Sequence, residues 1–319
     1  MTQTDVAVLD HDAHGIPAAD YADLLDRRLP DYTVHLASTP DERRDLIAEA
    51  TVVAGKEISV EELEAAENLR LFACNSAGVD HLPLDELAER GVAVTNASGV
   101  HGPNIAEHVI GWVLTFARRL DEGRRRQERR EWRRFQSFTE LAGSTVTVVG
   151  LGAIGEAVVQ RFDGFDVDTV GVRHTVSKGG PTDEVVGYDD LPDVLPETDV
   201  LVLACPLTET TEGLVGETEF DALPTDAVVV NVARGGVVDT AALVAAVRGN
   251  KIHGAGLDVT DPEPLPSDHD LWGFENVFLT PHVAGHTPKY WERRADILVE
   301  NLANVAETGE YSDLRNQVV

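Results

Sequence analysis

The chain has 319 residues, with 56 acidic against 26 basic side chains, a formal net charge of −30 and two cysteines. That length accommodates two domains of ordinary size, each with its own core. So acidic a molecule repels a phosphate backbone, which excludes a nucleic-acid partner, and no apolar run is long enough to span a membrane.

The polar N-terminus leads straight into an apolar strand at residues 6–9, and no secretory leader is expected. Strand-like runs at 33–36, 51–54, 71–74 and 92–95 make the first hundred residues an α/β unit of their own. Cys74 and Cys205 close apolar runs, so both are expected as buried thiols in a reducing, cytoplasmic compartment. A long apolar helix is expected from Asn104 to about Leu120, opened by a capping box with Glu107, and it should carry the chain into a second unit. Nine arginines between Arg118 and Arg134 are interleaved with Asp121, Glu122, Glu128 and Glu131 at helical spacing. This reads as an ion-paired helix end or a subunit contact. Acidic residues run along the whole chain, as on a folded surface; their self-repulsion is screened in concentrated salt, so a salt-rich cytoplasm is the expected setting.

The sharpest motif begins where the β-branched run at 145–149 meets Gly150, Gly152 and Gly155, spaced G-x-G-x-x-G, before helical spacing at 153–162. The first glycine makes the tight turn, the second lets backbone N–H groups approach a pyrophosphate, and the third lets helix and strand pack closely. Ala153 and Ile154 open the helix whose N-terminus would face the phosphates. Strands at 167–172, 200–204, 227–232, 254–259 and 277–279 follow, six in all with the first, as in a parallel sheet covered on both faces. A helical stretch at 290–306 should cross back to the first unit.

Ligands of an open parallel sheet bind beyond the carboxyl ends of its strands. Arg173 and His174 stand there, 21 residues after Gly152, where an NAD site would place an acid against the ribose; Asp166 and Asp168 fall at the opposite edge. A guanidinium suits a 2′-phosphate, so NADP is favoured, with NAD as the second possibility. Cys205, Pro206 and Gly285 complete the expected cofactor contacts. Arg234, flanked by small residues past the strand 227–232, is placed to hold a carboxylate through charge-assisted bonds, with a structural salt bridge as the competing reading. Glu263 and His282 emerge from neighbouring strand ends, and a carboxylate on one imidazole nitrogen makes a proton donor for a carbonyl oxygen receiving hydride. His282 and His286 are four apart, but Gly285 and Pro288 argue against a helix that aims both at a metal, and no metal is expected. Together these groups specify hydride transfer between a nicotinamide cofactor and the 2-oxo group of a 2-ketocarboxylic acid.

The segments SAGVDH, TNASGVHGPNIAEH, VGLGAIG, NVARGGVVD, GLDVTDPEPLP and TPHVAGHT together resemble the D-isomer specific 2-hydroxyacid dehydrogenase family along nearly the whole chain. The resemblance implies two α/β domains, Rossmann-like or flavodoxin-like, with parallel doubly wound sheets: a discontinuous substrate domain at 1–100 and 283–319, and a dinucleotide-binding domain inserted at 101–282. It also implies a homodimer and the D hydroxy acid. Arg234 would bind the substrate carboxylate together with the backbone of Gly78 and Val79; His282 would be the acid and base, also touching the cofactor, and Glu263 would orient it. Asp258 would hold the nicotinamide carboxamide. Arg173 departs from the acid of NAD-using members, Glu263 from the glutamine of formate dehydrogenases, and no regulatory domain is expected after Val319. Two alternatives stand beside this reading: a dinucleotide-sensing, corepressor-like binding protein, and a glyoxylate/hydroxypyruvate reductase using NADH.

Overall fold

A computed structural model describes residues 4–135 and 138–319. The chain forms two compact units, Met1–His101 with His286–Val319, and Gly102–Gly285. Met1, where the expectation of no leader falls, lies outside the described residues.

The terminal unit is built on five parallel strands, β1 (Thr4–Leu9), β2 (Tyr32–Ala37), β3 (Val52–Gly55), β4 (Leu71–Cys74) and β5 (Ala93–Thr95), in the order β2-β1-β3-β4-β5. Every residue of β3 and β4 is buried, because alternate side chains enter two different cores. Val52, Ala54, Leu71 and Ala73 pack under the helices Ala18–Arg28 and Tyr290–Thr308, whereas Val53, Phe72 and Cys74 face Ile47, Leu63 and Leu87 of three shorter helices. The C-terminal helix thereby belongs to the fold of the N-terminal strands. Tyr21 and Trp291 stack at 4.6 Å where the two long helices meet.

The second unit holds seven parallel strands: β6 (Thr145–Val149), β7 (Asp168–Val172), β8 (Glu184–Val186), β9 (Val200–Leu203), β10 (Val228–Asn231), β11 (Gly254–Leu257) and β12 (Val277–Leu279). Their order, β12-β11-β10-β9-β6-β7-β8, reverses direction between β6 and β9. Six strands were expected. The seventh, β8, is a three-residue edge strand carrying Glu184, too short and too wet to show an apolar pattern. The glycines of β11 make room for the helix Gly102–Arg118, since a Cβ on Gly254 would lie 2.5 Å from the Phe116 ring and one on Gly256 2.7 Å from that of Trp112.

That helix corrects the expected capping box. It starts at Gly102, two residues before Asn104, and the Asn104 amide donates to the Ala284 carbonyl at 2.8 Å while Glu107 pairs with Arg161. A tertiary acceptor wins over the local cap. The arginine-rich stretch is helical over Leu120–Glu128 and internally paired, with Arg125 on Asp121 at 2.9 Å, Arg126 on Glu122 and Arg124 on Glu128 at 3.2 Å. Cys74 and Cys205 are buried free thiols.

In the terminal unit His14 stacks on His286 at 4.5 Å, and its Nδ1 accepts the Thr287 backbone N–H at 3.3 Å. Burial, and then the facing rings of His101 and His286, lower its pKa from 6.5 to about 4. The unfolded chain thus takes up a proton near pH 6.5 that the folded chain refuses until about pH 4, and stability falls with pH across that window. His14→Gln is expected to flatten this fall, read as urea midpoints between pH 7 and pH 4.5 against the unaltered protein. Parallel pH profiles would remove His14 from the balance.

Candidate active site

Gly150 ends β6 with φ at +99°, and a Cβ there would lie 2.5 Å from the Cys205 backbone nitrogen. Gly155, in the first turns of the helix Ala153–Phe162, approaches so closely that a Cβ would sit 1.9 Å from the Gly150 carbonyl oxygen. Gly152 is different: it caps the helix, and among the described residues nothing stands within 4 Å of where its Cβ would be. The unpaired N–H groups of the first turn, Ala153 and Ile154 included, open onto that space at the point where strand order reverses. A dinucleotide pyrophosphate fits this cradle.

Cys205 sits across the turn but is only 2% exposed, its thiol packed in the core and pushed up by burial to about 11. Of Cys205, the backbone faces the glycine turn and the side chain does not; Pro206 beside it is exposed. At the end of β7, Arg173 donates from Nη1 to the Gly179 carbonyl, which curls residues 173–179 around the guanidinium. His174 is exposed, as is Lys178, a second cation that motif spacing did not single out. Asp183 is turned away to the amino end of β7, where it accepts from the Thr169 N–H at 2.9 Å and hydroxyl at 2.7 Å. Those bonds hold its carboxyl below the usual range.

Past β10 the buried Asn231 side chain braces the turn, accepting from the Ala233 N–H and donating to the Arg234 carbonyl, both at 3.0 Å. Arg234 is exposed, bonds to its neighbour's carbonyl at 2.7 Å, and pairs with no carboxylate among the described residues. The competing reading of Arg234 as a structural salt bridge has no partner here.

Asp258, 4% exposed, follows β11 and anchors the segment after β12. Its Oδ1 accepts from the Thr280 hydroxyl at 2.6 Å and the Val283 N–H at 2.9 Å, and its Oδ2 from the Ala284 N–H at 2.9 Å. His282, held between these tethers, has φ at +54°, a left-handed conformation that a side chain disfavours. Its own N–H donates to the carbonyls of Asp258 and Thr280 at 2.8 and 3.0 Å. The imidazole Nδ1 then meets Glu263 Oε2 at 3.1 Å, while Glu263 Oε1 accepts the Thr260 N–H at 3.1 Å. Both partners remain about half exposed, and a cavity of about 550 Å³ opens beside them, walled by Leu265, Trp272 and Leu279. Thr280, which sequence reasoning passed over, also meets His108 Nε2 at 3.2 Å; burial holds that ring's pKa below its ordinary value. Gly285 closes this unit; Gly78 and Val79 follow β4 in the terminal unit, where Gly78 is exposed and the Val79 carbonyl accepts the Leu82 N–H at 2.9 Å.

Residues 110–284 match the model of the D-isomer specific 2-hydroxyacid dehydrogenase NAD-binding domain. A glyoxylate reductase of Thermofilum pendens is 35% identical over 256 residues, 78% of this chain and 75% of its own length. The chain belongs to the D-isomer specific 2-hydroxyacid dehydrogenase family. A solved D-isomer specific 2-hydroxyacid dehydrogenase family protein of Aeromonas salmonicida resembles it with a TM-score of 0.82 at 29% identity, over 100% of this chain and 99% of that one. An NADPH-dependent glyoxylate/hydroxypyruvate reductase of Sinorhizobium meliloti, solved with NADP and malonate, gives 0.70 at 28% identity, over 100% and 97%. This dehydrogenase is accordingly an oxidoreductase of 2-keto acids that acts on the CH–OH group of its donors with a nicotinamide dinucleotide.

In the dehydrogenase, Asp258→Ala would leave the Val283 and Ala284 N–H groups without their acceptor. At about 1–3 kcal/mol for each unsatisfied group, the expected loss is about 2–6 kcal/mol, read as a lower urea midpoint at unchanged m. A variant as stable as the original would show that the turn does not depend on this carboxylate.

Proposed function

We propose that this dehydrogenase reduces a short 2-keto acid of the glyoxylate or hydroxypyruvate class to the D-2-hydroxy acid, prefers NADPH, and works as a homodimer in a salt-rich cytoplasm. The observation that carries the reading is the 3.1 Å contact between His282 Nδ1 and Glu263. With Nδ1 held by a carboxylate, the tautomer is fixed and Nε2 is the nitrogen that exchanges a proton. The nicotinamide, when bound, supplies the hydride to the carbonyl carbon. His282 Nε2 gives its proton to the oxygen, so the C=O bond becomes CH–OH and the imidazole is left neutral until solvent reprotonates it.

Arg234 holds the substrate carboxylate through charge-assisted bonds, its lack of an internal ion pair leaving the guanidinium available. Gly78 and Val79 are assigned, as backbone N–H donors, to a substrate carboxylate. Asp258 Oδ2, which accepts only the Ala284 N–H among the described residues, has room for one carboxamide N–H. Preference for NADPH rests on Arg173 and Lys178 beyond β7, in a stretch, 173–182, that holds no acidic residue, and is supported by the Sinorhizobium relative solved with NADP.

Initial rates for a panel of 2-keto acids, with NADH and NADPH side by side in molar potassium chloride, test this reading. Dinucleotide binding without oxidation by any member would favour a sensor over an enzyme. His282→Ala is expected to lower kcat about 100-fold or more, as for loss of a positioned acid, at unchanged dinucleotide affinity; near-normal turnover would take His282 out of the mechanism. Arg173→Asp should move the ratio of kcat/KM values toward NADH, and an unmoved ratio would make Arg173 a bystander.

A further inference from the structure

One buried cation has no part in the chemistry above. Arg294, on the helix Tyr290–Thr308, has no exposed surface. It donates from Nη1 to the Asn96 carbonyl at 3.2 Å and from Nη2 to Asn75 Oδ1 at 3.5 Å, its Nε has no acceptor, and no carboxylate pairs with it among the described residues. A buried guanidinium without a counterion is costly, and its field is little screened by salt. In a chain with 56 acidic residues, that isolation calls for a physical role.

The groups around Arg294 lead to one loop. Asn75 follows β4, and its carbonyl accepts the Tyr290 hydroxyl. Asn96 follows β5, and its amide donates to the Ala77 carbonyl at 2.8 Å, while the Ala97 N–H donates to the Ser76 carbonyl at 3.0 Å. Residues 75–77 are held from both sides, and Gly78 and Val79 come next. The Asn75 amide nitrogen, also buried, has no acceptor.

We propose that Arg294 is a positioning residue for the substrate carboxylate: its uncancelled charge sets the potential at the 76–79 loop and, through Asn75 and Asn96, the shape of that loop. The inference rests on the reading of Gly78 and Val79 as a carboxylate cradle. An acidic surface repels an anionic substrate in the bulk, and a buried cation next to the cradle opposes that repulsion where salt cannot reach.

The test uses three variants of the full chain, assayed with glyoxylate and NADPH and titrated with oxamate, a carboxylate inhibitor, by calorimetry. Arg294→Met removes the charge at similar volume, a change a buried ion tolerates. Asn75→Asp supplies the missing counterion and cancels the charge, keeps an oxygen that accepts from Arg294 Nη2, and removes only an amide nitrogen that has no acceptor. Both should raise KM for glyoxylate and Kd for oxamate about tenfold, or about 1.4 kcal/mol, with KM for NADPH and kcat little changed; Arg294→Lys should recover most of the loss. A purely structural arginine predicts the opposite for Asn75→Asp, namely a higher Tm with wild-type KM and Kd, and that result overturns the inference. If Arg294→Met fails to fold, Asn75→Asp decides alone. Failure of the unaltered protein to reduce any 2-keto acid defeats the proposed function instead, and oxamate binding still decides the role of Arg294.

Discussion

The Asp258 carboxylate accepts three hydrogen bonds from the segment after β12, and on those bonds depends the direction of the His282 imidazole that meets Glu263. The backbone at His282 is left-handed, which for a residue with a side chain costs about 1 kcal/mol. Such a conformation persists only where neighbours over-determine it. Here the N–H groups of three successive residues, His282, Val283 and Ala284, all end on Asp258, on its carbonyl or its carboxylate. Because Asp258 directly follows β11 and these residues follow β12, the parallel pairing of those two strands sets the register of the tether. Packing of the sheet and pointing of the ring are thus one mechanical unit.

Charge is distributed with the same economy. Arginines of the surface helix Leu120–Glu128 are answered by Asp121, Glu122 and Glu128 within a turn, pairs of small individual value that keep a crowded helix neutral. Arg234 and Arg294 stand outside this scheme. Arg234 is exposed at a strand end and Arg294 is enclosed, and neither meets a carboxylate among the described residues.

Much of this was legible in the residues. Apolar, β-branched runs marked strands, the spacing of Gly150, Gly152 and Gly155 marked the cradle, and the rule that ligands gather at carboxyl ends pointed to Arg173, Arg234, Glu263 and His282. The misses share a cause. The Asn104 box and the edge strand β8 were judged from local pattern, yet Asn104 found the carbonyl of Ala284, and β8 exists because β7 offers it a partner. Asn231 and Thr280 were passed over because a polar side chain near a strand end has no signature until its acceptor is known.

The sequence by itself determined the fold class, the dinucleotide turn and the kind of chemistry, since each follows from periodicity or spacing within a short window where the chain is its own context. Only the tertiary structure decided that Glu263 reaches His282 across 19 residues, that Asp258 accepts backbone N–H groups, and that Arg294 pairs with no carboxylate among the described residues. Those outcomes depend on which strand ends lie side by side, and hydrogen bonds between sheet neighbours are short in space while their residues are far apart along the chain.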